Sequence, residues 1–299
     1  MKKLKNLYMI VSVFIAIALT LSACGSQNAP VSDAQDADIE AQNADAAADE
    51  QSADTDAALS EQDADVTADV TPEIHAIAYP EDYPTASDEY GASAFAGSLN
   101  HGDSKYYIIH DFYNMKSGDG LHILSNFETY QQTTEYTCGA ASALMVLNWF
   151  GEKNYDEMQI GDLVEIDTSK GTSVEGMVKF FTELDWDVDY HADTDFRFKS
   201  IEDAEAYLIE TIDVGVPVMA DWTDWAGHWQ VIIGLDECGT DDPYDDVLIL
   251  ADPYDITDHY QDGYYTFPFG RFFDMWREGP CTEKTEPYWQ PFVTAQPKI

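Results

Sequence analysis

Basic residues are the scarcest feature of this 299-residue chain: 14 Lys and Arg stand against 57 Asp and Glu, for a formal charge of −43. A partner held by phosphate neutralisation would be repelled, which argues against nucleic acids and polyanionic substrates. Cysteine is almost as rare, with four in the chain, and none sits with His at zinc-binding spacing. A glycine-rich phosphate cradle and a nucleotide fingerprint are also missing, so the sequence calls for no cofactor and no metal. The one long apolar run, Leu7 to Leu21, is short of the roughly 20 residues a spanning helix needs.

What is there begins with processing signals. Met1-Lys2-Lys3-Leu4-Lys5, the apolar run and Leu21-Ser22-Ala23-Cys24 form a charged start, a hydrophobic stretch and a small-residue cleavage site. Cys24 directly after Leu-Ser-Ala resembles a bacterial lipobox, which implies a signal peptide over 1–23 and acyl chains on Cys24. Several such chains hold a protein at the membrane, on the extracytoplasmic face. Cleavage there removes three lysines and no acid, taking the charge from −43 to −46. Gly25 to Glu73 then carries 14 acidic residues with no Lys, Arg or aromatic. It cannot bury enough apolar area to offset its ordering entropy, so 24–73 reads as a disordered, self-repelling tether. Residues 74–104 mix Tyr79, Tyr83, Tyr90 and Phe95 with Pro, Gly and Ser, as a linker or a strap on a domain would.

From residue 105 to 299 the texture is that of a packed domain. Tyr106 to Phe112 and Leu121 to Phe127 read as two strands of a hairpin about the turn-rich Lys116-Ser117-Gly118-Asp119-Gly120. Cys138 to Phe150, rich in Ala and Leu and stopped by Gly151, predicts the strongest helix, followed by helices at Ser173 to Leu184 and Ile201 to Asp213. Val216 to Asp221, His228 to Leu235, Val247 to Ala251 and Tyr264 to Phe269 read as strands, with a short helix over Arg271 to Trp276. Helices first and antiparallel-looking strands afterwards predict an α+β domain.

A free cysteine is often only a small buried hydrophobe, so context decides. Cys138 opens the strongest helix, where the positive end of the macrodipole favours thiolate, and Gly139-Ala140-Ala141 keep the first turn small for an approaching carbonyl. Orphan N–H groups there, with a Gln amide just upstream, could hold an oxyanion. Gln132 lies six residues before Cys138, and Gln131 is its adjacent competitor. A thiolate needs an imidazole, and the imidazole an orienting acceptor. His228 starts one predicted strand and Asp252 ends the next, so pairing the two as a hairpin would make them neighbours.

This pattern resembles the papain-like cysteine peptidases, most closely the bacteriocin-processing, double-glycine-cleaving branch. The resemblance implies a papain-like fold, with the Cys helix in an N-terminal helical part and an antiparallel sheet carrying His and Asp. It implies Cys138 as nucleophile, His228 as general base, Asp252 as the residue orienting it, and Gln132, at the family's six-residue offset, as the oxyanion glutamine. The best-known members sit on export transporters, whereas these 299 residues hold no transporter segments, so cleavage of double-glycine leaders is not expected.

The resulting expectation is a membrane-anchored cysteine peptidase acting on peptides or proteins, with cationic ones favoured by the negative field. Cell-wall amidase or acyl-transfer chemistry on the same fold, and a non-catalytic surface binding module, are the alternatives. Trp222, Trp225 and Trp229 fit either a cleft wall or core. Cys238 and Cys281 suit a disulfide outside the cytoplasm, and the acidic run between Asp236 and Asp246 reads as a solvated loop rather than a calcium site.

Overall fold

Cys138 to Leu147 is apolar or small on every side of the predicted helix, and a helix of that kind has to be surrounded. In a computed structural model of the protein, α1 (Cys138–Trp149) is indeed buried at each residue from Cys138 to Leu147. The structure describes residues 71–81, 83, 88–98, 100, 106–279 and 286–298, all within one compact unit spanning Ala64–Ile299. The signal segment, Cys24, nearly all of the acidic tether and Cys281 lie outside the described residues.

Before α1 comes β1 (Leu121–Ile123). After it come α2 (Glu157–Leu163), α3 (Val174–Glu183), β2 (Trp186–His191), α4 (Ile201–Asp213) and β3 (Val218–Trp222). The chain ends with β4 (His228–Asp236), β5 (Val247–Ala251), β6 (Tyr264–Pro268), α5 (Phe269–Met275) and β7 (Phe292–Pro297). Side-chain caps start three helices: Asp156 with Gln159 in a reciprocal box for α2, Ser173 for α3 and Ser200 for α4.

The strands form one antiparallel sheet in the order β2-β7-β3-β4-β5-β6. β3 pairs with the first half of β4, Val218 opposite Ile232 and Trp222 opposite His228. β1 pairs with the end of β4, Leu121 opposite Asp236. β5 takes the other edge, Val231 opposite Ala251 and Asp236 opposite Val247, with a register shift between Ile232 and Gly234. Every residue of β4 but Asp236 is buried, so both of its faces are covered; α1 and α4 pack against it. This is the α+β papain-like arrangement, with helices first and a sheet bearing His228 and Asp252 after them.

Tyr106 to Phe112 is not a strand. Tyr106 and Ile108 are 78% exposed, and Phe112–Asn114 forms a 3-10 turn. The expected hairpin is therefore absent, and β1 finds its partner in β4 instead. The second run is also shorter than its apolar length suggested, ending at Ile123. The segment before it runs along the domain where it is described: Ala76 bridges Thr129, Ser93 N–H donates to Gln132 O at 3.1 Å and Asp88 N–H to Thr133 O at 2.9 Å.

Candidate active site

The antiparallel register sets the site. With β4 and β5 paired, the start of one strand lies beside the end of the next, and His228 Nε2–H donates to Asp252 Oδ1 at 2.7 Å. Both are deeply buried, His228 at 3% exposed and Asp252 at 4%. Asp252 is held from three sides. Its Oδ1 also accepts Tyr254 N–H at 2.8 Å, its own N–H donates to Gly263 O at 2.8 Å, and its carbonyl accepts Gln131 Nε2 at 2.8 Å.

Cys138, 8% exposed, stands at the first turn of α1 facing the same imidazole. The opposing influences on His228 are burial, the largest, which disfavours the imidazolium, and the Asp252 carboxylate, which favours it. A hydrogen bond to Asp252 and contact with Cys138 add to the second, and the pKa comes out well above its ordinary 6.5. A thiol beside an imidazole that prefers to be charged is the arrangement in which a proton passes from sulfur to nitrogen. α1 has no acidic residue in its first turn and no side-chain cap on its N-terminal amides, which leaves the dipole's positive end facing the sulfur.

Gly139 is small for a reason other than substrate access. A Cβ there would stand 2.6 Å from Thr172 Cβ, so the first turn of α1 is pressed against the loop before α3. Thr172 O in turn accepts Trp229 Nε1–H at 2.9 Å. Ser142 Oγ, one turn along, donates to Trp229 O at 3.3 Å, which fixes α1 against β4.

The two glutamines divide their work. Gln132 is buried, donates Nε2–H to Thr134 O at 2.7 Å and Glu135 O at 3.2 Å, and gives its backbone N–H to Pro253 O at 2.9 Å. Its amide thus lies on the loop that leads into Cys138. Gln131 reaches the other way, bridging Asp252 O and Asp255 N–H. The sequence offers both residues and no sign of this division.

The cleft at Cys138 encloses about 580 Å³. Glu135, Glu175, Asp221 and Glu278 are among its carboxylates, against Lys170 as the one basic side chain of the lining among the described residues. The three tryptophans separate. Trp222 and Trp229 are buried, whereas Trp225 is 53% exposed on the rim. It sits in left-handed backbone at φ 47° and edge-on to Tyr254 at 5.6 Å.

The description "Peptidase_C39 like family" belongs to the family model that matches residues 124–281, over half of the chain and the whole of this site. The chain belongs to that family. As a member of the Peptidase_C39 like family it carries a cysteine-peptidase domain, with Cys138, His228 and Asp252 as candidate residues for that chemistry. Among solved structures, the peptidase domain of Streptococcus ComA, described as a bi-functional ABC transporter involved in a quorum sensing pathway, is similar at 16% identity. That match covers 57% of this chain and 99% of that one, with a TM-score of 0.39. No curated protein matches the chain.

Other candidate features are dispersed. Among the described residues no group of three or more His, Cys, Asp or Glu is placed to hold a metal ion, and no helix is long and apolar enough to cross a membrane. Cys238 is an exposed free thiol just after β4; Cys281, its expected partner, lies outside the described residues. The feature that sequence reasoning missed is Glu157 at the start of α2, nearly fully buried beneath the Gln132 loop. Burial pushes its carboxyl up, and hydrogen-bonding contacts from Thr137, Thr133 and Tyr130 oppose the shift. A glutamate is ordinarily placed at the surface, so pattern alone gives no signal for it.

Proposed function

We propose that this protein is a cysteine peptidase that hydrolyses peptide amide bonds through Cys138, His228 and Asp252. The observation that carries the reading is His228 buried between the Cys138 thiol and the Asp252 carboxylate, 2.7 Å from the latter. The Cys138 thiolate would bond to the amide carbon, moving the carbonyl π pair onto oxygen. The imidazolium of His228 would give its proton to the departing nitrogen as the C–N bond breaks, leaving a thioester. Water, deprotonated by His228, would then hydrolyse that thioester and restore the thiol. The Cys138 N–H and the Gln132 amide would hold the oxyanion, Gln132 turning one N–H away from the Thr134 and Glu135 carbonyls. Acid-rich cleft walls favour cationic peptides.

Alkylation of Cys138 by iodoacetamide across pH, mapped by mass spectrometry, tests the pair. Rapid labelling near or below pH 7 that weakens in His228→Ala is the expected result. Sluggish labelling with ordinary thiol pH dependence, unchanged by the substitution, would overturn the reading. Given an active site, Lys-rich peptides should be cleaved faster than Asp-rich ones at low salt, and equal rates would remove the charge preference.

The same reading puts the domain outside the cytoplasmic membrane, on an acyl anchor at Cys24 with 24–73 as spacer. Partition of the full chain into a detergent phase, lost in Cys24→Ala, is the expected behaviour. Unchanged partition would exclude that anchor.

A further inference from the structure

Loops that present an oxyanion donor have to be held within a fraction of an ångström, and Glu157 is the buried acidic side chain placed to do this here. Its Oε1 accepts the Thr133 N–H at 2.9 Å and its Oε2 the Tyr130 hydroxyl at 3.1 Å. These two tethers bracket Gln132, whose own backbone N–H is tied to Pro253 O, next to Asp252. Thr137, at the N-cap position of α1 and just before Cys138, is tied to the same loop by its hydroxyl, 2.9 Å from Thr134 Oγ1. Glu157 thereby anchors the Gln132 loop, which the Thr134–Thr137 contact ties to the helix that begins with Cys138. α2 brings it there through its Asp156–Gln159 box, with Glu157 as the first residue of the helix.

We propose that Glu157 is a positioning residue of the thiol site, fixing the Gln132 loop against the Cys138 helix so that the Gln132 amide can meet the oxyanion. The inference rests on the peptidase reading above and adds a residue that touches no reacting atom. Its consequence is selective. Steps that build charge on a carbonyl oxygen depend on Glu157, whereas direct alkylation of the sulfur, which builds none, does not.

The test uses the full chain and two probes. Iodoacetamide alkylates Cys138 with no oxyanion. Leupeptin, a peptide aldehyde, forms a hemithioacetal in which sulfur bonds to the aldehyde carbon and the former carbonyl oxygen takes a proton from the imidazolium. Its Kd is read as protection of Cys138 from alkylation. Glu157→Ala should weaken leupeptin binding by roughly 10- to 100-fold and leave alkylation within about threefold of wild type. Glu157→Gln, which still offers Thr133 N–H an acceptor, should restore binding. Gln132→Ala should show the same split, and combining it with Glu157→Ala should add little further loss. If Glu157→Ala does not fold, Glu157→Asp, too short to reach both tethers at once, carries the comparison. Unchanged leupeptin binding, losses that add to those of Gln132→Ala, or binding and alkylation falling together with the melting temperature would each overturn the inference. A wild type that neither alkylates rapidly nor binds leupeptin would instead overturn the peptidase reading beneath it.

Discussion

His228 shows how a single residue's charge state can depend on one neighbour. Burial alone would drive its pKa below 6.5; the Asp252 carboxylate reverses the sign. Replacing Asp252 by Asn keeps an oxygen for the Tyr254 N–H and removes the charge, so burial should prevail and the imidazole should become neutral at neutral pH. Iodoacetamide labelling of Cys138 at pH 7 is expected to fall at least tenfold in Asp252→Asn, with the fast-labelling range moving to higher pH, toward that of an ordinary thiol. Peptide hydrolysis should drop by about 10² to 10⁴, as when an orienting carboxylate is neutralised in other triads. A labelling profile that matches wild type would mean that Asp252 has a packing role only. Tyr254 sits close to the same atoms, its N–H on Asp252 Oδ1 and its ring 6.4 Å from the His228 ring. Truncating it should therefore disturb the site less than the charge change, since the backbone N–H remains.

At the scale of elements, α1 reaches its depth because its first turn has almost no side chain. Gly139→Ala would push a methyl into Thr172, whose carbonyl holds Trp229. A destabilisation of about 1–3 kcal/mol is expected for such overpacking, measured by urea unfolding. Thr172→Gly, which removes the Cβ that the new methyl meets, should recover part of it, giving a coupling energy of at least about 0.5 kcal/mol in a double-mutant cycle. Additive effects would show that the two positions do not press on each other. α1, α3, α4 and the β4–β5 pair were legible in the sequence because their signals are local: an unbroken apolar run with a Gly stop, two helical runs of which the first opens at a capping residue, two Val- and Ile-rich runs between turn residues. The neighbouring of His228 and Asp252 followed from antiparallel pairing alone. α2 was not legible, being seven residues long with Gly161 inside it. β2 alternates Trp186, Val188 and Tyr190 with Asp187 and Asp189, a weak period-2 signal in an acidic chain, and β7 is bounded by Pro291 and ends at Pro297. Tyr106 to Phe112 has strand composition but no partner strand, and β propensity without a partner edge produces no strand.

At the scale of the whole molecule, the same acidity that argues against nucleic acid sets how stability changes with pH. Behind Asp252 lie Asp255, Asp258 and Asp262. Burial pushes all three carboxyls up, aided by repulsion from other carboxylates, Asp258 for Asp255, Asp252 for Asp258 and Asp258 for Asp262; Asp262 is pushed from 3.8 to about 7. A carboxyl raised in the folded state keeps its proton longer there than in the unfolded chain. The folded form then binds more protons between about pH 4 and pH 7, and stability declines as pH rises through that window. His228 has the same sign over the next interval. Its contribution is complete below 6.5 and is lost as pH climbs through its higher folded value. The carboxylates that are lowered, Glu165, Asp167 and Glu202, are exposed and act only at the acid end. Self-repulsion at a formal charge of −43 also grows as carboxyls ionise. All three contributions predict a melting temperature higher at pH 5 than at pH 8 by roughly 5 °C or more at constant ionic strength. Asp262→Asn, neutral at every pH, should flatten the slope between pH 5 and 7 by stabilising the protein most at the upper end. A melting temperature that rises from pH 5 to pH 8, or a slope unaffected by Asp262→Asn, would mean that these buried acids are ionised and compensated in the folded protein, and that the segment following Asp252 is held by charge rather than by shared protons.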